Sequence, residues 1–289
     1  MSYLRQELQF ADAVQRGLGV AQHPNLWILM SRDIDVESIP MTVAPAEQGY
    51  AQVLAAYLHV SQRLDASPRL ARRHPSRGLS ETNKSLLAYI LEEIGLPPDS
   101  RLRNLKPPTN GEQQLIARQA MQPFGQDVVF LHPLGGWGLK SIPGHLLPEL
   151  AGFVHNAGFK LVQIGGAADP QVDGCDGAIL HNFLPSQWRE IFALGRALIG
   201  VDSWTAHFAS ILDMPQVTLY GSTHPQHVNT KAWFVEQASP SLVLGPSVGC
   251  SPCNSFTCTA FVDRAYCTGY SIDGEALQAF LASVPASLG

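Results

Sequence analysis

Short apolar runs alternate with amphipathic segments along the second half of the chain, from Asp127 onward. The apolar runs predict strands at Val128–Leu131, Lys160–Ile164, Ala178–Leu180, Ala197–Val201, Gln216–Tyr220 and Leu242–Leu244. The segments between them predict helices at Pro143–His155, at Ser186–Leu194, between Ser203 and Pro215, and at Gly274–Ser283. Regular alternation of this kind predicts an α/β fold, in which helices cover both faces of a parallel sheet.

The first part of the chain is less regular. Helical spacing over residues 4–18, 49–64 and 81–94 surrounds one buried-strand candidate, Leu26–Met30. Residues 97–111 are rich in Pro, Asn and Gly and are typical of an interdomain connection. The pattern therefore predicts a short α/β domain over residues 1–110, a larger α/β domain over residues 127–270, and a closing helix within residues 271–289.

Composition narrows the class of protein. The 289 residues are 45% hydrophobic and 15% charged, which is typical of a globular enzyme and excludes a disordered chain. The net charge of −5 gives no sign of a nucleic-acid partner. The sequence shows no leader pattern and no run of about eighteen apolar residues, so we expect a cytoplasmic protein without a transmembrane segment.

One strand–turn–helix unit is the leading candidate for a binding site. Ala197–Val201 is followed by Asp202 and Ser203, which are both favourable helix N-cap residues. In an open α/β sheet, ligands bind beyond the carboxyl ends of the strands, where helix N-termini offer N–H groups to anions. The backbone around Ser203, Trp204 and Thr205 is therefore a candidate phosphate site. An ordinary βαβ unit without a ligand is the alternative.

Four of the five cysteines lie within a short C-terminal segment. They are spaced Cys250-x2-Cys253-x4-Cys258-x8-Cys267. Four thiolates at this spacing, in a reducing compartment, favour a closed tetrahedral site for zinc or iron over free thiols. Such a site holds a loop in place and leaves no position open for chemistry. Cys175 stands alone and is interpreted as a packed residue.

Several of these segments together resemble glycosyltransferase family 9, the family of the ADP-heptose-dependent heptosyltransferases. The resemblance is carried by His132-Pro133, Gly135, Lys140-Ser141-Ile142-Pro143, Gly200–Ser203, Ala206-His207, Met214-Pro215, Leu219–Pro225 and the cysteine cluster. It implies a GT-B-like fold of two Rossmann-like domains with parallel sheets, the N-terminal one reduced. It also implies a nucleotide-diphospho-sugar donor similar to ADP-heptose.

The resemblance assigns roles to individual residues. The donor-site residues that it implies are Lys140, Asp202, Ser203, Trp204, Thr205, His207, Thr223 and His224. Lys140 is expected to contact the diphosphate, and His207 to stay neutral near the helix N-terminus and bind a ligand oxygen. For Asp202 we expect helix capping, with contacts to sugar hydroxyls as the alternative.

The chain also departs from the family pattern. Trp204 stands where the family commonly has Gly, and it is expected either to stack on a sugar or base or to narrow the pocket. Residues 1–25 contain no match to the Gly-Asp turn whose Asp is the usual candidate base. Asp33 and Asp35, after the Leu26–Met30 run, are our substitutes for the carboxylate that deprotonates the acceptor.

The leading interpretation is an inverting glycosyltransferase that moves a heptose-like sugar from a nucleotide-diphosphate donor to an acceptor hydroxyl. The acceptor is expected to be a glycan similar to lipopolysaccharide core or a protein, and a homo-oligomer or a partner chain is compatible with the sequence. Two alternatives stay open. One is a non-catalytic sugar-nucleotide-binding or assembly subunit, and the other is a sugar-nucleotide epimerase.

Overall fold

The computed structural model describes residues 109–233, 237–253, 258 and 265–285. Nearly all of the short domain predicted over residues 1–110 lies outside this range, and so do Asp33 and Asp35. The strands are β1 (Val128–His132), β2 (Lys160–Gly165), β3 (Gly177–Leu180), β4 (Ala197–Val201), β5 (Gln216–Leu219) and β6 (Ser241–Leu244). The α-helices are α1 (Gly111–Met121), α2 (Leu147–Asn156), α3 (Pro185–Leu194), α4 (Trp204–Leu212), α5 (Pro225–Val228) and α6 (Gly274–Ser283). Short 3₁₀ helices lie at Gly138–Lys140, Gly144–Leu146 and Thr230–Trp233.

The six strands form one sheet in the order β3-β2-β1-β4-β5-β6, and every pair is parallel. This is the strand order of a Rossmann-type fold. The prediction of an α/β domain with a parallel sheet is confirmed. The second Rossmann-like domain stays a prediction, because its residues lie outside the described part of the chain.

Helices cover both faces of the sheet, and β1 shows how the sequence divides between them. Val129 and Leu131 pack in one core with α2 and α6, whereas Val128 and Phe130 pack in the other with α1, α3 and part of α4. All five residues of β1 are buried, and so are all five of β4. A strand buried on both faces needs a continuous apolar run rather than alternation, which is the pattern that predicted these strands.

Helix α1 was not predicted. Its N-cap residue, Asn110, and its first residue, Gly111, lie in the segment that we interpreted as a connection. The Asn110 side chain accepts hydrogen bonds from the N–H groups of Glu112 and Gln113, at 2.9 and 3.3 Å, and the Gln113 side chain accepts from Asn110 N at 3.0 Å. This capping box starts the helix in spite of Gly111.

Helix α6 begins and ends where the sequence predicts, at Gly274 and Ser283. It packs against α2 and β6 in the same core as the rest of the sheet. In the described ranges, none of the helices has the length and apolar character needed to cross a bilayer.

Candidate functional site

The winding of the sheet reverses between β1 and β4. From β1 the chain proceeds outward through β2 and β3, and from β4 it proceeds to the opposite side through β5 and β6. The loops after these two central strands therefore diverge and leave a crevice at the carboxyl edge, which is where open α/β sheets bind ligands. Lys140 follows β1 and Asp202 follows β4, so the fold brings both to this reversal point.

A glycine turn folds Lys140 back toward the sheet. Ser141 Oγ accepts from Gly135 N at 3.0 Å, and Ile142 N donates to the Pro133 carbonyl at 2.8 Å. A Cβ on Gly135 would overlap the Cβ of Lys140 and lie 2.8 Å from the Lys140 carbonyl oxygen. The close approach of the two backbones thus requires glycine at position 135.

Lys140 forms a buried ion pair at the start of α4. Its Nζ lies 2.6 Å from Asp202 Oδ2, and the two side chains are 5% and 1% exposed. The ammonium group also lies 4.5 Å from the ring centroid of Trp137. His207 Nε2 lies 3.6 Å from the other carboxylate oxygen, Asp202 Oδ1. We call Lys140, Asp202 and His207 the switch-point cluster.

Burial sets the protonation states around this cluster. It lowers the pKa of His207 to about 4, with nearby Lys140 adding to the effect and Asp202 opposing it. Burial, with the charge of Asp202 adding to it, holds the pKa of Tyr220 and of Tyr270 well above the usual range. At neutral pH the cluster therefore contains one charge pair among neutral groups. An anion that approaches Lys140 competes directly with Asp202 for its charge.

The structure corrects the expected role of Asp202. Ser203, not Asp202, occupies the N-cap position of α4. Asp202 and Ser203 are both favourable N-cap residues in the sequence. In the structure, Asp202 pairs with Lys140, and the helix begins one residue later, after Ser203. The expectation that His207 is neutral near the helix start agrees with its lowered pKa, although burial is the main cause.

Ser203 and Thr205 join a second polar group at the reversal point. Ser203 Oγ lies 3.1 Å from His132 Nδ1 and 2.9 Å from Thr205 Oγ1. His132 is the last residue of β1, and its Nε2 lies 3.8 Å from Asp169 Oδ2. Asp169 Oδ2 in turn accepts from Gly166 N at 2.8 Å, in the loop after β2. His132, Asp169, Ser203 and Thr205 thus form one row of polar side chains. They come from the end of β1, from the loop after β2 and from the segment after β4.

Trp204 packs among aromatic side chains. Its ring centroid lies 5.4 Å from that of Trp188, 5.8 Å from that of His132 and 6.3 Å from that of Phe208. These contacts fix the first turn of α4 against α3. They show how a large aromatic residue is accommodated at a position where glycine is usual. Its predicted stacking on a sugar or base stays a prediction.

Thr223 and His224 follow β5, beside the switch-point cluster in the sheet order. Thr223 is buried. His224 accepts from Gln226 N through Nδ1 at 3.2 Å and so caps the short helix α5, and its ring stacks on His227 at 4.5 Å between centroids. A contact of these two residues with a donor remains a prediction.

The four clustered cysteines line one small cavity, together with Leu139, Ser251 and Thr268. None of the four forms a disulfide within the described part of the chain. Cys267 is buried, which raises its thiol pKa, and Gly269 N donates to its Sγ at 3.3 Å. Across the residues that the structure describes, no three His, Cys, Asp or Glu side chains converge closely enough to hold a metal ion. The cavity has the predicted donor set, but not the geometry of a formed site.

The described residues of the cysteine-bearing loop lie directly against the turn that carries Lys140. Leu139 lines the cysteine cavity, and a Cβ on Gly138 would overlap the carbonyl oxygen of Ala265. On the other side, Ser251 Oγ donates to the carbonyl of Gly221. These residues therefore pack against the backbone of the 3₁₀ turn at Gly138–Lys140.

Two residues of the row were not identified as site residues from the sequence. His132 appeared only as part of a motif, and Asp169 did not appear at all. A usable signal existed for His132, which is a polar residue at the end of an otherwise apolar strand. Asp169 lies three residues after Gly166 in an irregular loop, and only the folded chain shows its relation to His132.

Comparisons with known proteins identify the family of the chain. Residues 111–260, just over half of the chain, match the family model described as glycosyltransferase family 9 (heptosyltransferase). The chain belongs to glycosyltransferase family 9. The resemblance inferred from the sequence motifs is thereby confirmed.

One curated family 9 relative is lipopolysaccharide heptosyltransferase 1 of Pseudomonas aeruginosa. It is 32% identical to this chain over 139 residues, which are 46% of this chain and 37% of the relative. The match therefore spans well under half of the relative's length. This match therefore supports the family assignment only for the 139 residues that the two proteins share.

Three solved structures overlap the chain more loosely. The ADP-heptose LPS heptosyltransferase II of E. coli has a TM-score of 0.49 at 14% identity, over 69% of this chain and 62% of that one. The family 9 glycosyl transferase of Veillonella parvula DSM 2008 has a TM-score of 0.44 at 19% identity, with coverages of 55% and 48%. The dodecameric iron-containing heptosyltransferase TibC, in complex with ADP-D-beta-D-heptose, has a TM-score of 0.45 at 14% identity, with coverages of 69% and 52%.

Proposed function

We propose that this family 9 protein is an inverting glycosyltransferase that moves a heptose-like sugar from a nucleotide-diphosphate donor, ADP-heptose or a similar compound, to an acceptor hydroxyl. The observation that carries the proposal is the buried Lys140–Asp202 pair at the point where the sheet reverses its winding. A buried lysine is rare unless it is paired or functional, and this one lies where the fold places ligands.

The diphosphate is proposed to lie between Lys140 and the first turn of α4. The ammonium group offers a compact charge, and the helix N-terminus offers backbone N–H groups and the positive end of its dipole. When the donor binds, Lys140 shares its charge between Asp202 and the phosphate oxygens. Neutral His207 is proposed to hydrogen-bond a ligand oxygen.

The proposed reaction is one in-line displacement. The acceptor oxygen attacks the anomeric carbon, while the bond from that carbon to the diphosphate breaks and the diphosphate leaves with the electron pair. The acceptor proton passes to a carboxylate. Lys140 stabilises the charge that develops on the leaving diphosphate. Asp33 and Asp35 stay our candidates for the base. The proposed acceptor is a glycan similar to lipopolysaccharide core or a protein side chain.

The direct experiment is a calorimetric titration with ADP, followed by incubation with ADP-heptose and a panel of acceptors. Lys140→Met is expected to weaken ADP binding by at least tenfold, because the point charge on the diphosphate is lost. Lys160→Met is the matched control, since Lys160 is exposed and begins β2 at the opposite edge of the sheet. Equal ADP affinity in the two variants would overturn the role of Lys140.

The same assay separates the alternative functions. Transfer to an acceptor with release of ADP supports the transferase. Tight binding of ADP-heptose, with neither hydrolysis nor transfer in any acceptor tested, favours a binding or assembly subunit. Conversion of the sugar without an acceptor favours an epimerase, which membership of a glycosyltransferase family makes the weaker candidate.

We further propose that Cys250, Cys253, Cys258 and Cys267 hold one structural zinc or iron ion. The support is that four thiol donors line a single cavity, and that a backbone N–H already donates to one of the sulfur atoms. The ion would fix the loop against the turn of Lys140.

Elemental analysis of the purified protein tests the metal site. About one zinc or iron ion per chain is expected, and Cys253→Ser is expected to lower both the metal content and the folded yield. Cys175→Ser is the control, because Cys175 lies outside the cavity. A metal-free wild type that folds well would contradict the proposal.

A further inference from the structure

The N-cap residue of helix α4 makes no side-chain capping hydrogen bond. Ser203 is at its N-cap position, yet its hydroxyl accepts no hydrogen bond from a backbone N–H of the first turn within the described part of the chain. Other helices use their N-cap side chains as expected, and α1 and α6 are two examples. Asn110 accepts from the first turn of α1, and Asp273 accepts from Ala276 N at 3.0 Å in α6. The Ser203 hydroxyl is instead engaged in other hydrogen bonds.

The group that holds it is His132. Ser203 Oγ lies 3.1 Å from His132 Nδ1, and Thr205 Oγ1 lies 2.9 Å from the same oxygen. His132 is buried at the end of β1, and its ring lies edge-on to Trp204 at 5.8 Å. The imidazole is thus fixed by packing, and it faces the serine from the neighbouring strand.

Asp169 sets the direction of the hydrogen bond. The pKa of the Asp169 carboxyl is lowered, and the interaction with His132 is the largest cause. Burial opposes this effect, and the hydrogen bond from Gly166 N–H adds to it. At 3.8 Å from His132 Nε2, the carboxylate is too distant for a strong hydrogen bond, but its charge favours the tautomer with hydrogen on Nε2. Nδ1 then accepts, so the Ser203 hydroxyl donates to it.

We propose that His132 is a positioning residue of the donor site, which holds the Ser203 hydroxyl away from α4 so that the N–H groups of Thr205 and Ala206 stay available to the donor's diphosphate. The proposal rests on the diphosphate site proposed above. Without His132, the Ser203 hydroxyl turns to its ordinary role, caps the first turn and competes with the diphosphate.

The Asp169–His132–Ser203 order also resembles that of a nucleophilic serine with its base. The backbone of Ser203 argues against this reading. Its φ of −151° and ψ of 175° are those of extended chain, not of the strained turn that presents a nucleophile in hydrolases. A second hydroxyl, that of Thr205, also lies against the serine oxygen. Positioning is therefore the role that the geometry supports.

The first test needs no ligand. In ¹⁵N spectra of the full-length protein, His132 is expected to show the Nε2–H tautomer. In His132→Leu, amide exchange at Thr205 or Ala206 is expected to slow, because Ser203 now caps the helix, and the slowing should vanish in His132→Leu/Ser203→Ala. An Nδ1–H tautomer, or unchanged exchange in a folded His132→Leu, would overturn the proposal.

The second test measures ADP affinity in a double-mutant cycle. His132→Leu is expected to weaken binding roughly five- to tenfold, the effect of a side-chain cap that must be displaced. His132→Asn should retain most of the affinity, since its amide oxygen can accept in place of Nδ1. In a Ser203→Ala background, His132→Leu should have little further effect. His155→Leu is the control, because His155 is an exposed histidine that contacts Asp176.

The two levels of failure can be told apart. If the wild type binds no ADP, the proposed donor site fails, and the exchange experiment alone decides the role of His132. If the wild type binds ADP but His132→Leu is equally harmful with and without Ser203, His132 does not act through the serine and the positioning role is wrong.

Discussion

Helix α4 has a lysine–aspartate pair at each end, and the two pairs differ in burial and in what surrounds them. At the N-terminal end, Lys140 and Asp202 lie 2.6 Å apart, with Trp137 and His207 as side-chain neighbours. At the C-terminal end, Lys231 Nζ lies 3.2 Å from Asp213 Oδ1. Backbone groups complete this second pair, because Ala238 N and Ser239 N donate to the Asp213 carboxylate and Lys231 donates to the Met214 carbonyl.

This difference indicates that Lys231–Asp213 is a structural pair, whereas Lys140–Asp202 is a candidate ligand-binding pair. Burial tends to raise the pKa of Asp213, but its two backbone donors and Lys231 outweigh this and lower it. That carboxylate is stabilised by groups that do not leave. Asp202 is paired with Lys140, in a crevice where the fold places ligands. We therefore expect a ligand anion to exchange for one partner at the first end of α4 and not at the second.

Removal of Lys140 is expected to have the largest effect on stability. Lys140→Met leaves the Asp202 charge buried without its cation, which costs about 3–5 kcal/mol in the free energy of unfolding. Lys140→Met/Asp202→Asn should recover most of that loss while ADP binding stays weak. Urea denaturation measures both variants. A single variant as stable as wild type would show that Asp202 does not depend on Lys140.

The second effect is a pH dependence that arises in the same cluster. The pKa of His207 falls from an ordinary value of 6.5 to about 4 in the folded chain. Between these values the unfolded chain binds more protons than the folded chain, so stability falls as pH decreases from 6.5 toward 4, by about 3 kcal/mol in total.

Unfolding free energies of wild type and His207→Gln, measured at several pH values, isolate this contribution. The stability difference between the two proteins should change across the window from pH 6.5 to 4 and be constant above it. A constant difference throughout would mean that His207 titrates normally, and that the cluster is more accessible to water than the structure indicates.

Removal of Lys231 is expected to have the smallest effect. Lys231→Met leaves Asp213 with its two backbone donors and partial contact with water, so the loss should be roughly 1–2 kcal/mol. ADP affinity should not change, which makes this variant the counterpart of Lys140→Met at the other end of α4. A loss of ADP binding in Lys231→Met would remove the distinction between the two pairs.

The sequence predicts the sheet well because its strands are buried on both faces. Continuous apolar runs located the central strands to within one residue, and Pro215 marked the end of α4. Helix α1 was missed because Asn110 and Gly111 are typical of a turn, although Asn110 and Gln113 also have the spacing of a capping box.

The site was predicted less completely, because its contacts join loops that are distant in sequence. Lys140 and Asp202 were both named, but nothing local indicates that they pair. Asp202 and Ser203 are equally good N-cap residues, and the tertiary ion pair decides between them. The contact of His132 with Ser203 spans 71 positions and depends on β1 and β4 being neighbours.

The most direct test of the diphosphate site is an ADP titration of the ¹⁵N-labelled full-length protein, with chemical shifts followed residue by residue. We expect the largest amide shifts at Thr205 and Ala206 in the first turn of α4 and at Lys140, with little change around Lys231. Shifts that leave these residues unchanged, while ADP binds elsewhere, would contradict this expectation.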